Sequence, residues 1–274
     1  MSGDWLDGAE LPSDTEAGLS LLLAQCPPGA RMSTATKEVC VPSAQMHALY
    51  AVVRDGTEVD REVERLRLQH TVRVLKLPTH EDEQLILRAS DYEALMSNSG
   101  VEGAALCAAA LAQCTGVSVQ RTELLQAMGG AQVMHGDIVE AHVRAGWLVP
   151  AARAAFCAAP DEAPDTEAAP DGWLWSVPHA GRVVYALVQC RAEVLAILYK
   201  QKFGRAPCHV IERTSSVRKS LRQGQLDLRH VLRDLEGKRL ISRTETMTGV
   251  ALELTPAGLQ AASYAAQRGR KRRR

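Results

Sequence analysis

The sequence predicts a mainly helical α+β protein that contains three similar units, each ending in a short β-hairpin. Three times along the 274 residues, apolar residues at helical spacing are followed by an apolar strand, a turn and a return strand. The composition is that of a globular protein, because 46% of the residues are hydrophobic and 23% are charged. A chain of this length is able to bury a core in each of two or three domains.

The N-terminal 38 residues do not follow this pattern. They are rich in Gly, Pro, Ser and acidic residues, and they contain one short apolar patch, Leu19 to Leu23. Segments of this composition bury too little apolar surface to offset the entropy lost on ordering. We predict that residues 1–38 are mostly disordered.

The first unit is predicted over residues 39–98. Apolar residues recur at helical spacing from Met46 to Val53 and again from Val59 to Leu66, which indicates two amphipathic helices. The segments TVRVLKL (71–77) and QLILRA (84–89) flank the polar turn PTHEDE and indicate a hairpin.

The second unit is predicted over residues 99–185. Helical patterns begin at Leu106, at RTELLQAM (121–128) and at Ile138. Gly146 follows the last pattern, in a position where a residue that tolerates positive φ is favoured. We expect this helix to end there.

An acidic insert separates the two strands of the second hairpin. The strand WLV (147–149) precedes CAAPDEAPDTEAAPD (157–171), which has no periodicity and is predicted to be a flexible loop. The return strand GWLWSV (172–177) carries Trp173 and Trp175, whose rings share one face because they are two residues apart. We expect both rings to pack against the helix that follows.

The third unit is predicted over residues 186–256. An apolar stripe from Leu228 to Leu235 indicates its last helix, which Gly237 is expected to cap. KRLIS (238–242) and GVALEL (249–254) indicate a hairpin across the turn TETMT.

Residues 257–274 are predicted to form a helical extension and a basic tail. Helical spacing continues from Pro256 to Gln267, and the residues after it are expected to be a free basic end. Clustered Lys and Arg residues of this kind predict a nuclear localisation signal. The residues are Arg268, Arg270, Lys271, Arg272, Arg273 and Arg274.

Helices followed by a two-stranded hairpin are the arrangement of a winged-helix domain, a helix-turn-helix variant with a β-wing. The junctions between the last helix and the wing fall near His70, Gly146 and Gly237. We therefore predict three tandem winged-helix domains with short β-hairpin wings.

The net charge of zero conceals a strong polarity along the chain. Residues 1–172 hold 12 Lys and Arg against 25 Asp and Glu, whereas residues 173–274 hold 20 against 7. A basic C-terminal part predicts a polyanionic partner for that part of the protein. A basic tail beside an ordinary solvated surface is the alternative.

The cations of the C-terminal part are spread over a helix end, a helix face and the start of a wing. Long cationic side chains in such places bind phosphates, which position a protein without reading sequence. The helix that contains Glu58, Asp60, Glu62 and Glu64 is too acidic for DNA and is predicted to bind protein. The candidate DNA-binding residues are Lys200, Lys202, Arg205, Arg213, Arg218, Lys219, Arg222, Arg229, Arg233, Lys238 and Arg239.

Several function classes are excluded by missing motifs. The sequence has no Gly-rich loop, HRD or DFG motif that would hold phosphates and magnesium in a kinase, so no catalytic residue is predicted. Seven scattered cysteines lack the spacing of a zinc site and indicate reduced thiols. The longest apolar run, Val183 to Tyr199, contains Arg191 and Glu193, so no membrane span is expected. No metal and no cofactor are predicted.

From about residue 39 to 255 the sequence resembles the serine/threonine-protein kinase 19 family of winged-helix repair factors. The segment GWLWSVPHAGRVVYALV is the most specific part of the resemblance, and RAEVLAILYKQKF, AHVRAGWLV, LEGKRLIS and VPSAQMHALYAVVRDGTEVDREVERLR add to it. In similar proteins the Lys200–Lys202 and Arg218–Lys219 pairs fall where duplex binding is expected. The chain departs from the family in carrying its basic stretch at the C-terminus rather than before the first domain.

The resemblance implies a nuclear, non-catalytic protein that binds double-stranded DNA in transcription-coupled nucleotide excision repair. It also implies a set of protein partners: RNA polymerase II, the Cockayne-syndrome ubiquitin-ligase receptor, the UV-sensitivity scaffold protein and the TFIIH helicase. A winged-helix protein–protein adaptor without direct DNA binding is the alternative function.

Overall fold

The structure is a computed structural model that describes residues 12–33, 39–77, 83–129, 135–151, 172–247 and 249–271. Within these ranges it is a mixed α+β fold with twelve α-helices and small antiparallel sheets. The predicted fold class, mainly helical α+β, is confirmed at this level. Among the described helices, none combines the length and the apolar character that a membrane crossing requires.

The N-terminal segment is folded where the structure describes it. Residues 12–33 contain α1 (Asp14–Ala24), a 3₁₀ turn (Pro28–Ala30) and β1 (Met32–Ser33), which pairs with β2 (Cys40–Val41). The prediction that residues 1–38 are mostly disordered is therefore wrong for residues 12–33.

Local capping and distant packing partners explain why α1 forms. Ser13 and Glu16 form a capping box, in which the Ser13 hydroxyl accepts from the Glu16 N–H at 3.2 Å and the Glu16 carboxylate accepts from the Ser13 N–H at 3.0 Å. Leu19, Leu22 and Leu23 are buried in the same core as the first unit's helices. The apolar patch therefore receives its partners from residues that follow much later in the chain.

The first unit consists of a short strand, two helices and a hairpin. Its elements are β3 (Ala44–Gln45), α2 (Met46–Val52), α3 (Gly56–Leu68), β4 (Val72–Lys76) and β5 (Gln84–Arg88). The last strand, β5, lies in the middle of the sheet and is antiparallel to both β3 and β4. The two predicted helices and the predicted hairpin are confirmed. Asp55 caps the N-terminus of α3, and its carboxylate accepts from the N–H groups of Thr57 and Glu58.

The second unit has the same strand order. The helices α4 (Ala89–Ser97) and α5 (Ala104–Leu111) lead into it. Its own elements are β6 (Ser118–Gln120), α6 (Arg121–Ala127), α7 (His135–Ala145), β7 (Leu148–Pro150) and β8 (Gly172–Trp175). The last strand, β8, is again central, between β6 and β7. The acidic insert 157–171 lies outside the described residues.

The third unit repeats the order once more and adds helices. Its elements are α8 (Ala180–Lys200), β9 (Arg205–Pro207), α9 (Cys208–Arg213), α10 (Ser215–Gly224), α11 (Leu228–Gly237), β10 (Ile241–Thr246) and β11 (Gly249–Leu254). β11 lies between β10 and β9. The predicted hairpin is confirmed, although its first strand begins at Ile241 rather than at Lys238.

The C-terminal extension is helical beyond its predicted end. The helix α12 (Pro256–Lys271) includes the segment predicted as helical and continues past Gln267. The expectation of a free basic end is therefore wrong for the backbone of residues 267–271. Arg272, Arg273 and Arg274 lie outside the described residues.

The last helix of each unit ends in the same backbone motif. His70, Gly146 and Arg239 have φ values of 56°, 85° and 56°, and each closes its helix in the left-handed conformation. The residue after each of them donates its N–H to a carbonyl five residues earlier. These bonds join Thr71 to Leu66, Trp147 to His142 and Leu240 to Leu235, each at 2.9 Å. The predicted cap at Gly146 is confirmed, whereas in the third unit the left-handed residue is Arg239 rather than Gly237.

The first and third units pack directly against each other through α2 and α11. Gly237 stands at the contact, where a Cβ atom would lie 1.6 Å from the carbonyl oxygen of His47. The N-terminal segment joins the same two units, because the Gly29 N–H donates to the Gln225 carbonyl at 2.9 Å. Gly237 is therefore required for a close backbone approach and not for a helix cap.

Candidate nucleic-acid interface

Most of the predicted DNA-binding residues lie on the surface of the third unit. Two of the eleven candidates, Arg233 and Lys238, are half-buried. The exposed candidates are Lys200, Lys202, Arg205, Arg213, Arg218, Lys219, Arg222, Arg229 and Arg239.

Seven of these candidates lie on consecutive elements of the third unit, from the end of α8 to the last turn of α10. α8 ends at Lys200, and β9 and α9 lead from there to the start of α10. α10 packs along α8, since a Cβ at Gly224 would lie 3.0 Å from the Cβ of Ala186. Only Val217 of α10 is fully buried, so its cations face outwards. We call these residues the third-unit basic surface: Lys200, Lys202, Arg205, Arg213, Arg218, Lys219 and Arg222.

The remaining candidates lie in two clefts between units. Arg229 and Arg233 line a cleft of about 600 Å³ between α1, α2 and α11. Lys238 and Arg239 line a second cleft, beside α2, α3 and α12. The structure therefore does not gather all eleven candidates at one place.

The cations of the third-unit basic surface form no ion pair with any residue in the described part of the chain. The first unit differs. Arg65 pairs with Glu62 at 2.5 Å and with Glu16 at 3.1 Å, and Arg67 pairs with Glu64 at 2.5 Å. These hydrogen-bonded arginines lower the pKa of Glu62 and of Glu64. The charges of Arg65 and Arg67 are thus balanced within the first unit, whereas the cations of the third-unit basic surface are left available.

Two candidates are held by contacts within the protein. The Lys238 ammonium donates to the Glu83 carboxylate at 2.6 Å, and its side chain is 11% exposed. Arg233 donates to the side-chain oxygen of Gln25 at 2.6 Å. The expectation that Lys238 faces phosphate at the start of the third wing is therefore wrong, because its charge is used to balance a buried carboxylate.

Lys238 belongs to a buried network that connects the first and third units. Arg191 of α8 donates to Glu83 at 2.5 Å and to Asp234 of α11 at 2.8 Å. Burial raises the pKa of Glu83, but Arg191 and Lys238 outweigh this effect and hold it at about 2. Glu83 is thus not part of an exposed acidic turn. Asp234 is fully buried and does not face the solvent.

Sequence reasoning did not identify this network. Its one visible signal was Arg191, a charged residue in the middle of an otherwise apolar helical run. A buried arginine requires partners. Glu83 lies 108 residues and Asp234 43 residues from Arg191 along the chain, so residue spacing could not predict these contacts.

The two tryptophans differ in their surroundings. Trp175 is 1% exposed, and the Arg73 guanidinium lies 5.5 Å from its ring centroid. Trp173 is half-buried against the same core. Arg73 is buried and donates to the carbonyls of Leu111 and Cys114 at 3.2 and 2.5 Å. Trp175 therefore joins the second hairpin to the first.

The described residues contain no metal centre, and two of their buried thiols are unreactive. They contain no group of three or more His, Cys, Asp or Glu side chains that would hold a metal ion. Burial raises the pKa of the Cys107 thiol to about 12 and that of Cys190 to about 11, so both thiols are unreactive at neutral pH. The side chains of Arg268, Arg270 and Lys271 lie outside the described residues.

The fold and this surface define a mainly helical α+β protein of three similar units, with free cations concentrated on the last unit. The family model for inactive serine-threonine protein kinase 19 matches residues 29–254. The chain therefore belongs to this family. The family's description as inactive confirms the prediction that the chain is not an enzyme. A search of curated proteins finds none that matches the chain.

Proposed function

We propose that the three units are winged-helix domains. Support comes from the strand order, which places the last strand of each unit in the middle of its sheet. It also comes from the junction between the last helix and the hairpin. In each unit this junction has a residue in the left-handed conformation at the same position, followed by the same backbone hydrogen bond. A short strand, helices and a hairpin in this order are the parts of a helix-turn-helix domain with a wing.

The function that the site supports best is duplex DNA binding with little sequence preference. The observation that carries it is that the cations of the third-unit basic surface are exposed and unpaired within the described residues, whereas Arg65 and Arg67 of the first unit are paired with carboxylates. Unpaired Lys and Arg side chains on a helix end, a helix face and a strand bind backbone phosphates and release counterions.

In this proposal the protein is a nuclear scaffold of transcription-coupled nucleotide excision repair. It bridges duplex DNA and the assembly of stalled RNA polymerase II and TFIIH, with the Cockayne-syndrome ubiquitin-ligase receptor and the UV-sensitivity scaffold protein as further partners. Family membership and the resemblance support this role. The basic C-terminus, from Arg268 to Arg274, is proposed as the nuclear localisation signal.

The test compares two sets of four charge reversals. Lys200, Lys202, Arg218 and Lys219 are changed to Glu, and binding of a labelled duplex is followed by fluorescence anisotropy over a series of salt concentrations. We expect binding to be abolished, because the loss of phosphate contacts weakens binding to all sequences alike. Each lost contact also reduces the slope of log binding constant against log salt concentration by about one. Circular dichroism checks that the fold is retained.

The matched control reverses four exposed arginines in the first and second units that form no ion pair among the described residues. These residues are Arg54, Arg61, Arg88 and Arg121. We expect this variant to bind DNA nearly as well as the unchanged protein. If the control set weakens binding more than the first set, the proposed location of the DNA is wrong.

One observation favours the alternative, a protein–protein adaptor that does not bind DNA. α11 occupies the position of the recognition helix in the third unit, and it packs against α2 of the first unit instead of standing free. An adaptor would use its helices for protein contacts in this way. The salt-dependent titration separates the two functions, because the adaptor gives no binding signal at low salt.

A further inference from the structure

The turn between α8 and β9 contains an aromatic residue in an unfavourable conformation. Phe203 has φ 62° and ψ 16°, in the left-handed region that disfavours residues with a Cβ atom. Gly204 follows with φ 65°. Glycine or asparagine would adopt this backbone conformation at lower cost. The local backbone conformation therefore does not explain why a phenylalanine occupies position 203.

Packing does not account for Phe203 either. Phe203 is 83% exposed, more than the other exposed aromatic residues among those described, which are Tyr185 at 67%, Tyr264 at 61% and Tyr199 at 43%. A large apolar ring in water contributes nothing to the core. A strained residue with an exposed ring is the kind of outlier that indicates a functional role.

The surroundings of Phe203 are cationic. The Lys202 ammonium lies 5.1 Å from the ring centroid, and Lys200 and Arg205 are exposed on either side along the chain. No acidic residue occurs between Tyr199 and Ile211. The ring is thus presented together with groups that bind phosphate, which favours a nucleic acid over an uncharged protein surface as the ligand.

We propose that Phe203 stacks on an unpaired base, so that the third-unit basic surface prefers DNA with a single-stranded end or junction to a continuous duplex. Aromatic rings beside cations are the means by which proteins bind single-stranded nucleic acid, because every base has a face on which a ring stacks. In a continuous duplex the bases are already stacked on each other, and opening a step costs free energy. The inference rests on the proposed DNA binding and adds the structural class of DNA that is bound.

The test uses two DNA probes and a substitution that fits the turn. The probes are a blunt duplex and the same duplex with a short single-stranded overhang that carries 2-aminopurine. Phe203→Asn removes the ring and keeps a residue that tolerates positive φ. Phe203→Tyr keeps a stacking ring, and Tyr185→Asn removes an exposed ring elsewhere on the third unit as the matched control.

We expect the unchanged protein to bind the overhang about tenfold more tightly than the blunt duplex and to change the 2-aminopurine fluorescence, since stacking on one base is worth about that factor. F203N should bind both probes equally, with blunt-duplex affinity unchanged and no fluorescence change. F203Y and Y185N should behave as the unchanged protein does.

Two results would overturn the inference and leave the proposed function intact. The first is equal binding of both probes by the unchanged protein. The second is an F203N variant that keeps the preference for the overhang, in which case the ring is available to a protein partner instead. Absence of binding to either probe at low salt contradicts the proposed function itself, so the two failures are distinguishable.

Discussion

The guanidinium of Arg191 donates to the carboxylate of Asp234 at 2.8 Å, in a position where both side chains are almost fully buried. The same guanidinium donates to Glu83 at 2.5 Å. Three distant parts of the chain, the first hairpin, α8 and α11, therefore meet at one cation. This contact, together with the Gly237 backbone approach, determines how the first unit lies against the third.

Loss of the Arg191 charge should destabilise the whole fold. In Arg191→Met the carboxylates of Glu83 and Asp234 lose a buried partner, so we expect the free energy of unfolding in urea to fall by about 3–5 kcal/mol. Arg229→Met is the control, because Arg229 is exposed and forms no ion pair among the described residues; its effect should be within about 0.5 kcal/mol. Equal stability of the two variants would show that the network is solvated.

The close approach at Gly237 predicts that replacing this glycine with alanine destabilises the protein, although alanine normally favours a helix. A Cβ there would lie 1.6 Å from the His47 carbonyl oxygen, so Gly237→Ala must push α11 away from α2. We expect a loss of about 1–3 kcal/mol in thermal or urea unfolding. Gly181→Ala in α8 is the control, since no heavy atom lies within 4 Å of its Cβ position, and it should be neutral or stabilise by up to about 1 kcal/mol. A neutral Gly237→Ala contradicts the described α2–α11 contact.

Trp175 should contribute more to stability than its neighbour Trp173. Trp175→Ala removes a ring that is 1% exposed and lies beside Arg73, so we expect a cost of about 3–5 kcal/mol. Trp173 is half-buried, and its replacement should cost clearly less. Urea unfolding of both variants measures the difference. An unchanged midpoint for Trp175→Ala is incompatible with a buried ring and would leave a surface role for it.

Stability should depend on pH through His230. Burial lowers the pKa of this imidazole from 6.5 to about 4, and its Nε2 has no hydrogen-bond partner among the described residues. Between these two pKa values the unfolded chain binds more protons than the folded one, so this residue makes stability fall as the pH drops from 6.5 to 4. The loss amounts to about 3 kcal/mol, at 1.36 kcal/mol per pKa unit.

The His230→Gln variant isolates this effect. Burial also raises the pKa of Asp234 to about 6, which acts in the opposite direction over part of the same range, but that carboxyl is common to both proteins. We expect the difference in unfolding free energy between His230→Gln and the unchanged protein to shift in favour of the variant as the pH falls from 6.5 to 4. A difference that is constant with pH would show that His230 is solvated in the folded state.

The local elements could be predicted from the sequence because their signals are local. The spacing of apolar residues from Val59 to Leu66 and from Leu228 to Leu235 was sufficient to place α3 and α11, and pairs of apolar segments on either side of a turn were sufficient for the hairpins. Gly146 indicated its helix end because glycine is favoured at positive φ. The charge polarity of the chain was also visible without any structure, since charge counts do not depend on folding.

Only the tertiary structure decided which charges are free and which units touch. Lys238 and Arg218 look alike in the sequence, yet one is bound to Glu83 and the other is exposed, because the partner comes from a hairpin 155 residues away. Leu19 and its neighbours form an ordered helix for the same reason: their packing partners lie in α2 and α3. These buried contacts join residues that are distant along the chain. Composition and the periodicity of apolar residues reflect only local sequence, so they could not predict the contacts.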